Sequence, residues 1–321
     1  MSPFKPMPGF EGGHRQTLGS RFWPQQKDIE PDEMVSLRLA DGDFLKLALN
    51  RPKSWTPGDR IVVCIHGLTG CYKSKYVIRL NRLAVKLGFL GVRVNLRNCG
   101  PGFGLARGIY HSGRSDDAAE IIEYLSSRFP GSPISLVGFS LGANISLKLS
   151  GELGEKRLGG LDSVVGVSPP ADLAACSRLL SLKENRIYAE YFMKDLKVLA
   201  KGLPKVFPDI ENIVLPNDIT IGDFDELYTA PRGGFKNAND YYDKSACGPF
   251  VEKIEIPSLV LVAEDDPVIA SDFFYRFPKK KNLNLVFPES GGHVGFLSRP
   301  SVGHGVRWMD HLIMKWILNL N

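Results

Sequence analysis

The sequence predicts an α/β fold, with a mostly parallel central sheet, helices on both faces and an inserted helical segment. Three observations predict it. Strand-like and helix-like stretches alternate from residue 60 to residue 168. The strand candidates are near-continuous apolar runs such as Arg60-Ile61-Val62-Val63-Cys64-Ile65 and Pro257-Ser258-Leu259-Val260-Leu261-Val262-Ala263, as expected of parallel strands buried on both faces. Between one such strand and a helix stands the pentapeptide Gly138-Phe139-Ser140-Leu141-Gly142.

In chain order, Val35–Leu39 and Phe44–Leu49 alternate around Asp41-Gly42-Asp43 and read as an opening β-hairpin. A strand over 60–65, a helix over 74–88, a strand over 90–96, a helix over 115–128, a strand over 133–138, a helix over 141–153 and a strand over 162–168 follow. After Ser168-Pro169-Pro170 this rhythm stops. Residues 172–246, with short helical patterns and the aromatic-rich Ile187–Phe192, read as a helical lid inserted into a core formed by 1–171 and 247–321. The core resumes with strands over 257–263 and 283–287, and closes with an apolar helix over 306–318. No repeat or low-complexity tract interrupts it.

The pentapeptide has the strand–turn–helix setting of a nucleophile elbow. The turn exposes the Ser140 hydroxyl, and Gly138 and Gly142 keep the crowded positions on either side free of bulk. A serine hydroxyl needs a base, and the base needs an orienting acid; around this motif the chain order is Ser, acid, His. Of six histidines only His293, His304 and His311 follow Ser140. His311 falls within the terminal helix and His304 between two glycines, where packing and loop roles fit. His293 lies in the glycine loop Ser290-Gly291-Gly292-His293 directly after a strand, where a base can swing over the elbow. The acid should end the strand over 257–263, where Glu264-Asp265-Asp266 offers three carboxylates and leaves the choice open. An oxyanion hole needs backbone N–H groups: Leu141, after the nucleophile, and Leu68, in His66-Gly67-Leu68-Thr69-Gly70 after the first parallel strand. His66 is expected to shape that loop by hydrogen bonding, without transferring protons.

Taken together, these residues resemble the branch of the α/β-hydrolase superfamily that contains the bacterial YheT, plant EMB8-like and animal ABHD1/ABHD3-type proteins. The likeness runs through Gly9-Phe10, His14-Arg15-Gln16-Thr17, Asp41-Gly42-Asp43, His66–Gly70 and Ile109-Tyr110-His111-Ser112-Gly113. It continues through the elbow, Phe224-Asp225, Thr229-Ala230-Pro231, Tyr241-Tyr242, Asp265-Asp266-Pro267 and Gly292–Phe296. The resemblance implies an α/β-hydrolase fold and a Ser140–Asp266–His293 charge relay. The small-residue-x-x-Asp spacing of related hydrolases picks Asp266 from Ala263, with Asp265 as the alternative and Glu264 behind it. It also implies carboxylesterase or acylglycerol-lipase chemistry on a small ester or lipid. An acyltransferase with the same triad, or a non-catalytic binding protein on the same fold, are the alternatives. One departure is Asn98, where relatives commonly show Arg-Gly.

Composition bounds the rest. Hydrophobic and charged contents of 43% and 23% are those of a soluble globular chain, and no apolar run is long enough to span a membrane. The start, Met1–Phe10, lacks the apolar core of a secretion signal. Five cysteines without a C-x-x-C pair fit reduced thiols and a cytoplasmic setting. The net charge of +5 and the run Lys279-Lys280-Lys281, without an aromatic platform, do not make a nucleic-acid site. Gly67–Ser74 approaches a P-loop, but Tyr72 replaces its second glycine; Gly102-Phe103-Gly104 lacks dinucleotide spacing. No cofactor and no metal are expected.

Overall fold

The computed structural model describes residues 3–24, 27–277 and 279–320. Met1 and Ser2, where the stretch read for a secretion signal begins, lie outside them. A helix α1 (Gly13–Phe22) precedes the hairpin β1 (Glu33–Arg38) and β2 (Phe44–Asn50). Then come β3 (Ile61–Ile65), α2 (Lys75–Lys86), β4 (Leu90–Asn95), α3 (Ser115–Arg128), β5 (Ile134–Phe139), α4 (Leu141–Leu153) and β6 (Leu161–Val167). The alternation read from the sequence holds, with ends that differ by a residue or two, the usual scatter of helix and strand boundaries.

Eight strands form one sheet in the order β1-β2-β4-β3-β5-β6-β7-β8, with β7 (Ser258–Leu261) and β8 (Leu283–Val286) at the far edge. The β1–β2 and β2–β4 pairs are antiparallel; from β4 to β8 every pair is parallel. Apolar patterning sets the layers. In β3, Ile61, Val63 and Ile65 pack with Ile121, Ile122 and Ile145 of α3 and α4. The intervening Val62 and Cys64 pack with Val77 and Leu80 of α2 and with the final helix. Period-2 alternation on a strand buried on both sides thus yields a three-layer core.

Between β6 and β7 the chain forms α5 (Leu173–Leu180), α6 (Arg186–Val206), α7 (Ile221–Phe224), a π-helical turn (Asp225–Thr229), α8 (Ala230–Gly233), α9 (Ala238–Ser245) and α10 (Gly248–Val251). The apolar faces of α5, α6, α7 and α10 share a core with Val260 and Val262 beside the sheet edge, while α8 and α9 pack with Leu173 in a smaller cluster. A small hairpin, β9 (Leu297–Ser301) and β10 (Gly305–Arg307), and α11 (Trp308–Leu318) end the fold.

Two motifs without assigned chemistry prove structural. Arg97, after β4, bonds both oxygens of Asp117 and reaches Asp41 and Asp43 of the hairpin turn at 2.6 Å, which ties that turn to the main sheet. Asn98 adopts φ +59°, a conformation asparagine tolerates better than most residues. Its amide donates to the carbonyls of Ala106 and Gly108 at 2.9 and 3.0 Å and its oxygen accepts from Gly104 N–H at 3.0 Å, so one side chain shapes the whole loop.

Candidate active site

The sheet order reverses direction between β3 and β5, where a crevice opens beyond the strand C-termini. The register pairs Ile65 with Gly138 there, which sets His66–Leu68 beside Ser140. Ser140 has φ +52° and ψ −120°, the strained turn that lets α4 start at the next residue. The flanking glycines have no alternative. A Cβ on Gly138 would run into the Gly142 carbonyl, and one on Gly142 would stand 2.5 Å from the carbonyl oxygens of Ile65 and His66.

His66 is fully buried and neutral. Leu96 N–H donates to its Nε2 at 3.2 Å, which places the ring proton on Nδ1, where it is donated to the Gly67 carbonyl at 2.7 Å. Burial pushes its pKa down to about 4. On either side of Leu68 the amides are taken: Gly67 N–H donates to Tyr76 Oη at 2.9 Å and Thr69 N–H to Tyr110 Oη at 3.1 Å. Leu68 N–H has no acceptor among the described residues. Leu141, the first residue of α4, has no intrahelical acceptor for its N–H either.

The loop carrying His293 is built from unusual backbone: Gly292, Val294 and Phe296 all have positive φ. Three side chains hold it. Gly292 N–H donates to Asp265 Oδ1 at 2.8 Å, His293 N–H to Thr17 Oγ1 at 2.8 Å and Val294 N–H to Ser168 Oγ at 3.4 Å. The imidazole then spans two partners, with Nε2 3.0 Å from Ser140 Oγ and Nδ1 3.0 Å from Asp266 Oδ2. The Asp266 side chain is sealed from solvent, and its other oxygen accepts from Val268 and Ile269 N–H at 2.9 and 3.1 Å.

Each sequence candidate thus has a place. Ser140, His293 and Asp266 come together; Leu68 and Leu141 flank the serine. Asp265 holds the loop's backbone, and Glu264 accepts from the exposed Tyr275 hydroxyl at 2.6 Å. His304, just before β10, and His311, within α11, have ring centroids 6.3 Å apart, and neither is bonded to Ser140. Thr17 stands in the motif His14-Arg15-Gln16-Thr17 with no role legible from the sequence alone. The His14–Thr17 motif was its trace, since buried Gln16 also anchors α1 by exchanging hydrogen bonds with the Leu297 backbone at 3.0 and 2.7 Å.

Ser140 opens into a cavity of about 870 Å³, counting its mouth. Leu68 and Leu141 line it near the serine; Phe192, Leu196 and Leu199 of α6 cover it. His111 also lines the cavity. It accepts from Gly113 N–H at 3.1 Å, and burial pushes its pKa down to about 3. Among the described residues no group of three or more His, Cys, Asp or Glu could hold a metal ion, and no helix is long and apolar enough to cross a membrane.

Comparison with known proteins agrees with this architecture. A family model described as alpha/beta hydrolase fold matches residues 60–183. YheT of Escherichia coli is 32% identical over 98% of this chain and 92% of its own length. A monoacylglycerol lipase of Saccharomyces cerevisiae is 28% identical over 80% of this chain, which spans 58% of that protein. Among solved structures, Est1E from Butyrivibrio proteoclasticus with ferulic acid bound superposes with a TM-score of 0.59 at 16% identity, covering 89% of this chain and 98% of that one. That likeness shows the fold.

Proposed function

The chain belongs to the YheT-type branch of the α/β hydrolases, and on that premise we propose that it is a serine hydrolase of carboxylic esters working through an acyl-enzyme. The observation that carries this reading is the unbroken line of two 3.0 Å contacts from Ser140 Oγ through His293 to Asp266. Asp266 accepts from Nδ1–H, which fixes the imidazole tautomer and leaves the Nε2 lone pair to take the serine proton. Ser140 Oγ attacks the ester carbonyl carbon, and the oxygen that gains charge is met by the amides of Leu68 and Leu141. As the tetrahedral intermediate collapses, His293 returns the proton to the departing alcohol. Water, deprotonated by the same imidazole, then releases the acid.

Residues 172–246 act as the lid. Their apolar face over Ser140 keeps bulk water from the acyl-enzyme and packs against the hydrocarbon body of the acyl chain. A relative named monoacylglycerol lipase supports the ester class.

The test is direct. A fluorophosphonate probe labels the wild-type protein and leaves Ser140→Ala unlabelled, and nitrophenyl esters of graded chain length are hydrolysed by the first alone. A folded wild-type protein that neither labels nor turns over any ester overturns the reading.

A further inference from the structure

The cavity reached from Ser140 holds a carboxylate that ester hydrolysis does not use. Asp225 opens the π-helical turn Asp225–Thr229, an arrangement often kept at functional sites. Its Oδ2 accepts from Tyr242 Oη at 2.9 Å, and Tyr242 Oη lies 3.1 Å from Ser177 Oγ. Tyr242 has one proton to give and the carboxylate is the stronger acceptor, so the order runs Ser177 to Tyr242 to Asp225. Thr229, one turn on, also works to lower the pKa of the Asp225 carboxyl.

One hydroxyl donor leaves a carboxylate with free lone pairs, since it offers about four acceptor sites. Among the described residues no Lys, Arg or His lies within ion-pair distance of it. The cavity wall that it shares also carries the apolar Ile221, Phe224 and Leu173. Burial raises its pKa to about 6, so the charged form still dominates at neutral pH. An all-hydrocarbon ligand filling this cavity would strip water from the charge and return nothing.

We propose that Asp225 is the polar end of the substrate pocket and selects esters whose chain carries a hydrogen-bond donor, a hydroxyl or a protonated amine, remote from the scissile carbonyl. The proposal rests on the ester-hydrolase reading and adds its substrate class. The bland account is that Asp225, Tyr242 and Ser177 merely tie the π-turn to α9 and α5. That account gives no preference among ligands.

The experiment compares nitrophenyl esters of four- to eight-carbon acids bearing a terminal methyl, hydroxyl or amine. Wild type favours the best donor-bearing ester over its plain counterpart by about tenfold or more in kcat/KM, the size of one charge-assisted hydrogen bond. Asp225→Leu inverts the ratio, raising turnover of the plain ester and lowering that of the hydroxy ester. Asp225→Asn, close to wild type in shape, loses the amine preference about tenfold even if the leucine variant misfolds. Equal turnover of plain and donor-bearing esters at every length, or a preference that survives both substitutions, overturns the assignment while leaving the ester reading intact. No turnover of any ester, with Ser140 unlabelled by fluorophosphonate, overturns both.

Discussion

The backbone amide of His293 donates to the hydroxyl of Thr17, 2.8 Å away across 276 positions of chain. That hydroxyl in turn donates to the Gly13 carbonyl at 2.7 Å, so it is fixed within α1 before it meets the loop. Thr17→Val removes the acceptor and keeps the shape. We expect kcat on a nitrophenyl ester to fall about ten- to a hundredfold with KM little changed, since a misplaced base impairs chemistry more than binding. Thr17→Ser should restore most of it. A Thr17→Val enzyme at wild-type kcat would remove α1 from the machinery.

The neighbouring carboxylates Asp265 and Asp266 should separate by size of effect. Asp266→Asn leaves His293 free to turn over to the wrong tautomer, and a loss on the order of 10⁴ in kcat is expected by analogy with the serine-protease triad. Asp265→Ala strips the acceptor from Gly292 N–H and should cost roughly tenfold to a hundredfold, a loop displacement and no more. Steady-state kinetics of both variants decides; the reverse ranking would exchange their roles.

Gly142→Ala places a methyl 2.5 Å from the carbonyls of Ile65 and His66. Those carbonyls belong to the backbone entering the Leu68 loop, so accommodation moves the Leu68 amide, a proposed oxyanion donor. A stability loss of about 1–3 kcal/mol in urea unfolding and a fall of about 10²–10³ in kcat are expected together. A variant with wild-type activity would show that the methyl is accommodated without moving the Leu68 amide.

Two buried neutral histidines make stability depend on pH. His66 and His111 have folded pKa values lowered to about 4 and about 3 from 6.5. The unfolded chain therefore takes up protons below pH 6.5 that the native protein refuses, and stability falls as pH drops from there toward 4. His111→Gln removes one such group. The unfolding free energy of wild type relative to this variant should decline by up to about 1.4 kcal/mol per pH unit in that window and stay level above pH 7. A difference independent of pH would show that His111 takes up its proton as readily in the native state as in the unfolded chain.

The strands, their parallel order and the elbow were legible because each depends on local pattern: apolar runs for buried strands, glycines where a Cβ meets backbone. His293 was legible for a related reason, as a glycine loop follows β8. The choice between Asp265 and Asp266 was not settled by the residues, because it depends on a turn. Asp266 N–H donates to the Ala263 carbonyl at 3.2 Å, and this rotates one carboxylate toward the imidazole and its neighbour toward Gly292. Nor does any periodicity announce that Val294 and Phe296 take positive φ, or that a helix near residue 17 closes on a loop near residue 293. Those features arise only when distant segments meet, and composition carries no trace of them. The π-turn at Asp225 was hidden likewise, since its bonding differs from an ordinary helix by one residue per ring.

The sheet order divides labour between its two halves. Ser140 and the Leu141 and Leu68 amides hang from β5 and β3, Asp266 and His293 follow β7 and β8, and the helical insert leaves β6 and re-enters at β7, which lie side by side. Entrance and exit of the insert are thus neighbours on a rigid frame, and its length can drift without disturbing how the frame closes. On the proposed mechanism, selectivity can diversify by trading this canopy while Ser140, Asp266 and His293 beneath keep their spacing.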